Sequence, residues 1–287
     1  MGELLRAGTT AFSEFQKLGM GKPIIHIAHA NGFPMACYGE LISGLTNHFD
    51  VIGKPMLAHD SRFPIKDDWN TSVDEIIDFI ETNADEKVIG LGHSFGGTIT
   101  LKAAVKRPDL FKGIILMDPV LMVGFFPTLI TNFLKRIGKI GAITPADKTE
   151  GRRRNWPSRV EALTYFESKA LFKNFSQESL NLYVEHGLTE RSDSFHLQYS
   201  VTTEVEVFKS IPTDVDLLAK TTLKIPGFII RGAKTDVAYR PFVNRVARQH
   251  KMKVATVNGG HMFPFEIPTE ATEVILNKIS SILNSEK

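Results

Sequence analysis

Cysteine is all but missing: Cys37 is the only one in 287 residues. No disulfide can therefore form within the chain, and nothing argues for an oxidising compartment. Charge is nearly balanced at a formal +2, which gives no general attraction to nucleic acid or to an acidic membrane. Long apolar runs are missing too. The most apolar window, residues 114–130, is broken by Asp118, Pro119 and Pro127 before it reaches spanning length. Met1-Gly2-Glu3-Leu4-Leu5-Arg6 lacks the apolar core of a signal peptide, and Arg6 fails the myristoylation pattern. A cytoplasmic chain without a transmembrane segment is the expectation. The spacings His-x-x-x-His and His-Glu-x-x-His are absent, as is Gly-x-x-x-x-Gly-Lys, so no metal, phosphate-cradling loop or cofactor is expected.

What remains is an ordinary globular composition, 43% hydrophobic and 23% charged, enough for one large α/β domain with an insertion. Buried strands are read at 23–30, 49–53, 88–92, 112–118, 225–232 and 253–257, and an edge strand is conceivable at 11–15. Helical spacing marks 36–47, 72–82, the run after Ser94, 241–250 and 270–283. Such alternation implies a mostly parallel central sheet with helices on both faces. Between Pro119 and Thr222 the rhythm breaks. Helical patterns at 125–137, 159–166 and 177–185 occur there without a parallel strand. The expected division is therefore a core of 1–118 and 223–287 with a helical cap, 119–222, over the carboxyl ends of the strands, where open α/β sheets place their ligands.

The most informative stretch is Val88-Ile89-Gly90-Leu91-Gly92-His93-Ser94-Phe95-Gly96-Gly97. A serine sits where a strand becomes a helix, flanked by the small residues that so tight a turn demands. Two later loops also leave strands. Gly232-Ala233-Lys234-Thr235-Asp236 carries a carboxylate, and Gly259-Gly260-His261-Met262 carries an imidazole. The order Ser94, Asp236, His261 resembles that of α/β-hydrolases with an inserted cap. The chain resembles in particular a group of bacterial-type serine hydrolases that share His29-Ala30-Asn31-Gly32-Phe33 and an Arg-rich segment leading to tryptophan, Arg152-Arg153-Arg154-Asn155-Trp156. It departs from them at His59-Asp60-Ser61-Arg62-Phe63-Pro64, where many relatives carry an Arg-Gly-His-Gly-type turn.

The resemblance implies a Ser94 nucleophile, a His261 base and an acid at Asp236, with Asp118 at the end of the preceding core strand as the rival acid. It implies oxyanion donors at the Phe95 N–H and, by alignment of the Asn31 loop, at the Phe33 N–H. His93 is read as shaping the elbow, and Asn31, Val120 and Phe125 as candidates for contact with substrate. The basic residues of 135–173 could steer an anionic substrate, but a solvated helix face with a few ion pairs is the preferred reading. Cys37 is read as a small buried residue. The expected activity is cofactor-independent cleavage of a small carboxylic ester with an apolar part through an acyl-enzyme. A thioesterase, lactonase or C–C hydrolase on the same residues, or a ligand receptor that has kept the fold, are the alternatives. A serine at the elbow argues against the dehalogenase and epoxide hydrolase branches, which need a carboxylate there.

Overall fold

Six short runs pair side by side, the four central ones apolar and buried and the two at the edges partly exposed. They are β1 (Ile24–Ala28), β2 (Asp50–Ile52), β3 (Val88–His93), β4 (Phe111–Met117), and, after three short strands described below, β8 (Gly227–Gly232) and β9 (Lys253–Val257). The sheet runs β2-β1-β3-β4-β8-β9 and every pairing is parallel. The computed structural model describes residues 21–213 and 222–285; the edge strand considered at 11–15 lies outside them. The α/β architecture expected from the alternation is the one observed.

Helices cover both faces. On one lie α1 (Gly39–Thr46) and, at the end of the chain, α10 (Pro268–Asn284), whose Ala271, Ile275, Ile279 and Ile282 are fully buried. On the other lie α2 (Asn70–Asn83) and α3 (Phe95–Lys106), with α9 (Arg240–His250) beside β8. Two hydrophobic layers result, one on each side of the sheet. α3 is buried on every side from Phe95 to Ala104. A helix with no polar face belongs at the centre of a domain, and this one starts at Ser94.

Register decides what meets what at the carboxyl edge. His93 pairs with Met117, and Met117 with Ile230. Ser94 and Asp118 therefore leave neighbouring strands at the same height, one inter-strand step apart, about 5 Å. Both have left-handed backbone, with φ of 56° and 42°.

The described part of the 119–222 segment contains α4 (Phe125–Arg136), α5 (Ala146–Glu150), α6 (Arg159–Glu167), α7 (Gln177–His186) and α8 (Val201–Lys209). It also contains an antiparallel sheet of β5 (Asn155–Trp156), β6 (Leu188–Arg191) and β7 (Ser194–Leu197) in the order β5-β7-β6. An all-helical segment was the expectation. The difference comes from the hairpin at Ser192-Asp193, where two residues of positive φ (45° and 63°) turn the chain back on itself. This segment packs on the carboxyl edge of the large sheet. Asn31 Nδ2 donates to the Glu204 carbonyl, Tyr199 Oη to the Leu57 carbonyl, and the Ser200 N–H to His59 Nε2. Its Arg-rich run is used locally: Arg152 pairs with Glu204, Arg153 lies over the Trp156 ring and Arg154 donates to the Glu150 carbonyl.

Candidate active site

Ser94 is held by the sharpness of its turn. Its φ,ψ of 56°, −117° is a conformation that costs about 1–3 kcal/mol and persists only where neighbours enforce it. They do. A Cβ on Gly96 would lie 2.0 Å from the Ala28 carbonyl oxygen, and one on Gly92 would lie 2.4 Å from the Gly96 oxygen. β1, the elbow and α3 thus approach more closely than any larger residue permits. The Ser94 N–H donates to the Met117 carbonyl, tying the turn to the strand that ends in Asp118.

His261 reaches both partners. Its Nε2 is 3.0 Å from Ser94 Oγ and its Nδ1 is 2.8 Å from Asp118 Oδ2. A carboxylate accepts, so Nδ1 carries the proton and Nε2 is left to accept from the serine hydroxyl. Asp118 is fully buried and receives two further hydrogen bonds, from the Gly232 N–H (2.9 Å) and the Thr235 hydroxyl (2.5 Å). The expected acid, Asp236, is corrected by this geometry. Its side chain is exposed, and the strand order sets its loop one strand farther from Ser94 than Asp118. The loop after β8 contributes Gly232 and Thr235 as donors that orient the carboxylate, in place of the carboxylate itself.

The Phe33 expectation is corrected as well. Ala30-Asn31-Gly32-Phe33 is a tight turn with Gly32 at φ 80°, and the Phe33 N–H donates to the Ala30 carbonyl at 3.2 Å. A residue of positive φ at the third position is the mark of a type II turn, and the bond that closes it here engages the Phe33 amide. The Phe33 ring instead anchors the turn among Tyr183, Phe265, Phe172 and Phe175, with ring centroids 4.9, 5.2, 6.0 and 6.2 Å away. Phe95, the first residue of α3, presents one of the helix-start N–H groups that the i to i−4 ladder leaves over.

His93 is placed beside the site. Burial pushes it down to about 3, so it is neutral. Its Nε2 lies 3.0 Å from the His261 carbonyl oxygen and its Nδ1 lies 2.7 Å from Tyr38 Oη. A carbonyl only accepts, which puts the ring proton on Nε2 and makes Tyr38 the donor to Nδ1. Tyr38 Oη in turn accepts from the Ala30 N–H at 2.9 Å. One buried chain of hydrogen bonds therefore joins the end of β1, the elbow and the His261 loop. Nothing in the sequence pointed to Tyr38. An aromatic residue on a helical turn next to Cys37 reads as packing, and its partners are 8 and 55 residues away. Cys37 is buried, and burial pushes its thiol well above the ordinary range, so it offers no reactive thiolate.

The remaining candidates separate. Val120 is half-buried at the mouth of the site, its N–H 3.4 Å from the Ser94 carbonyl. Phe125 is 74% exposed on the outward face of α4, which corrects its expected contact with substrate. Asn31 holds the 119–222 segment through Glu204, and its Oδ1 is buried with no partner. Glu204 itself is a group that sequence reasoning missed. It is buried over Gly32, where a Cβ would meet its Oε1 at 2.8 Å, and it pairs with Arg152. Burial raises it to about 7, with Arg152 pulling the other way.

A carboxyl raised in the folded state adds stability that is fully present below its unfolded value, ordinarily near 4.5, and is lost as pH rises through about 7. Glu204→Gln removes that titration. The wild type is expected to lose up to about 3 kcal/mol relative to this variant between pH 4.5 and somewhat above 7. Denaturant unfolding of both proteins across that window checks it, and parallel pH profiles would contradict it. Among the described residues no group of three or more His, Cys, Asp or Glu could hold a metal ion.

Comparison with known proteins gives the same frame. A family model described as "Alpha/beta hydrolase family" matches residues 27–274. The chain is 29% identical over 86 residues to Lipase LipV of Mycobacterium tuberculosis, covering 29% of this chain and 33% of that one. It is 28% identical over 117 residues to Monoglyceride lipase of Mus musculus, covering 36% and 37%. The chain thus spans about a third of the length of either curated relative. Among solved structures, E-2-(acetamidomethylene)succinate hydrolase superposes with a TM-score of 0.73 at 18% identity, over 90% of this chain and 92% of that one. At that identity the likeness concerns the fold alone.

Proposed function

The chain belongs to the alpha/beta hydrolase family, which matches residues 27–274, and from that premise we propose that it is a serine hydrolase cleaving a carboxylic ester through an acyl-enzyme. The observation that carries this reading is the line Ser94 Oγ, His261 Nε2, His261 Nδ1, Asp118 Oδ2, with gaps of 3.0 and 2.8 Å. An unassisted serine hydroxyl is a poor nucleophile at neutral pH, and a hydrogen-bonded imidazole removes its proton as the oxygen attacks. His261 then passes that proton to the departing alcohol, leaving the acyl group on Ser94. A water molecule, deprotonated by the same nitrogen, releases the acid and restores the hydroxyl. Asp118 fixes the tautomer and stabilises the imidazolium as it forms.

The oxygen that becomes negative in the tetrahedral intermediate needs two fixed donors. The Phe95 N–H is the first. With the Phe33 N–H committed to Ala30, we assign the second to the Asn31 N–H, which the turn does not use. Residues 119–222 act in this reading as a cap, and an ester with an apolar part fits the apolar neighbourhood of Val120. Both curated relatives described above are named as lipases, which favours an ester over other acyl bonds.

A fluorophosphonate probe followed by mass spectrometry tests the proposal. Modification of Ser94, with turnover of p-nitrophenyl esters across a series of acyl lengths, is expected. No modification of Ser94 and no turnover, together with ligand-dependent thermal stabilisation, would replace the enzyme by a receptor.

A further inference from the structure

Helix α4 is turned the wrong way round for a helix that faces water. Inward it presents Leu134, packed against the core, and Thr128 and Thr131, whose hydroxyls are buried without a hydrogen-bond partner. Outward it presents Phe125, Phe126, Leu129, Ile130 and Phe133, each between 54% and 74% exposed, and the row continues at Ile137, 49% exposed. Residues 125, 129, 133 and 137, with 126 and 130 beside them, form adjacent i, i+4 rows and so make one contiguous face. Surface helices bury their apolar stripe and show the polar one; here the assignment is inverted, and burying hydroxyls unpaired is costly. A face of this kind marks a surface that meets something apolar.

Charge says what that is. Between residues 119 and 146 there is no acidic residue, while Lys135, Arg136 and Lys139 follow the apolar rows. Lys135 lies 3.9 Å from Asp68, and Arg136 and Lys139 are exposed at the end of the face. A second copy of this chain would cover the phenyl rings, but its own 119–146 segment carries no acid to pair with Arg136 and Lys139. A lipid surface satisfies both features, because rings sink to the acyl boundary while guanidinium and ammonium groups reach phosphate. At 12 residues, α4 is too short to cross a bilayer and would lie flat. No helix among the described residues is long and apolar enough to span.

We propose that α4 docks this protein on a lipid surface carrying anionic headgroups. The helix follows Asp118 after only the six residues 119–124, so docking sets the mouth of the site beside the lipid. The inference rests on α4 alone and holds or fails independently of the catalytic reading.

Flotation of the full chain with vesicles of phosphatidylcholine alone, and of equimolar phosphatidylcholine and phosphatidylglycerol, tests it. The chain is expected to float with the mixed vesicles, and Phe126→Ser/Phe133→Ser is expected to lower the partition at least about tenfold. Arg136→Gln/Lys139→Gln is expected to weaken binding to the mixed vesicles and to flatten its salt dependence. All four side chains are exposed, so thermal unfolding and Ser94 labelling in solution should match the wild type in both variants. Three results overturn the proposal: no flotation of the wild type, unchanged flotation of Phe126→Ser/Phe133→Ser, or a wild-type dimer in light scattering that this variant dissolves without any vesicle binding. Failure of Ser94 labelling with flotation intact would count against the hydrolase reading and leave the docking surface standing.

Discussion

Ser94→Ala is expected to lower turnover of a short p-nitrophenyl ester by on the order of a millionfold and to abolish fluorophosphonate labelling. The hydroxyl is the only group of the constellation that bonds covalently to substrate in the proposed scheme, so no other side chain can take over its step. What remains is the pull of the Phe95 and Asn31 amides on a carbonyl attacked by water, which in such sites leaves a residual on the order of a thousandfold over the uncatalysed rate. The fold should not be disturbed. The backbone bond from the Ser94 N–H to the Met117 carbonyl is kept in the variant, and alanine meets the same backbone demand at φ 56° that serine does. Steady-state rates on matched, correctly folded preparations decide it. A rate within tenfold of wild type would mean that Ser94 is not the attacking group.

The second large effect discriminates between two carboxylates. Asp118→Asn is expected to cut kcat by about ten-thousandfold, and Asp236→Asn to leave it within about twofold. An asparagine at 118 offers an amide where the imidazole N–H needs an acceptor. The ring then favours the tautomer with its proton on Nε2, which faces Ser94 and can no longer receive the hydroxyl proton. The Gly232 N–H and the Thr235 hydroxyl, both aimed at the Asp118 carboxylate, lose a charged acceptor at the same time. Asp236 is exposed and touches none of these groups. Equal rates for Asp118→Asn and wild type, or a collapse in Asp236→Asn, would reverse the assignment made from the geometry.

How far the sequence could have decided between these carboxylates is instructive. The elbow was legible because its requirements are local. Gly92, Ser94 and Gly96 have to sit within one turn of chain, with an apolar run before them and helical spacing after. His261 was legible for a related reason, in a glycine-loosened loop just beyond a strand. The acid was not, because Asp118 and Asp236 both follow core strands, and what separates them is strand order in space. β4 lies beside β3, and β8 lies one strand farther away, a fact about pairing that no local pattern carries.

The same limit applies to Phe33, whose amide is removed from use by a turn that the Asn-Gly signal announces but whose hydrogen bond it does not specify. β5, β6 and β7 were invisible at two to four residues each. α4 was legible as a helix from its periodicity, yet periodicity is blind to which stripe faces inward, and the ordinary assumption that apolar residues face the core fails there.

The grip of the inserted segment on the Asn31 turn has a consequence for anyone wishing to alter selectivity. Glu204 holds Asn31 through its carbonyl and lies against Gly32, Tyr183 and Phe172 wedge the Phe33 ring, and Tyr199 and Ser200 hold the loop at Leu57 and His59. A chimera that imported only residues 119–222 from a relative would leave those core loops with mismatched partners. The transplantable unit is discontinuous: the insert, the 29–33 turn and the 57–59 loop would have to travel together.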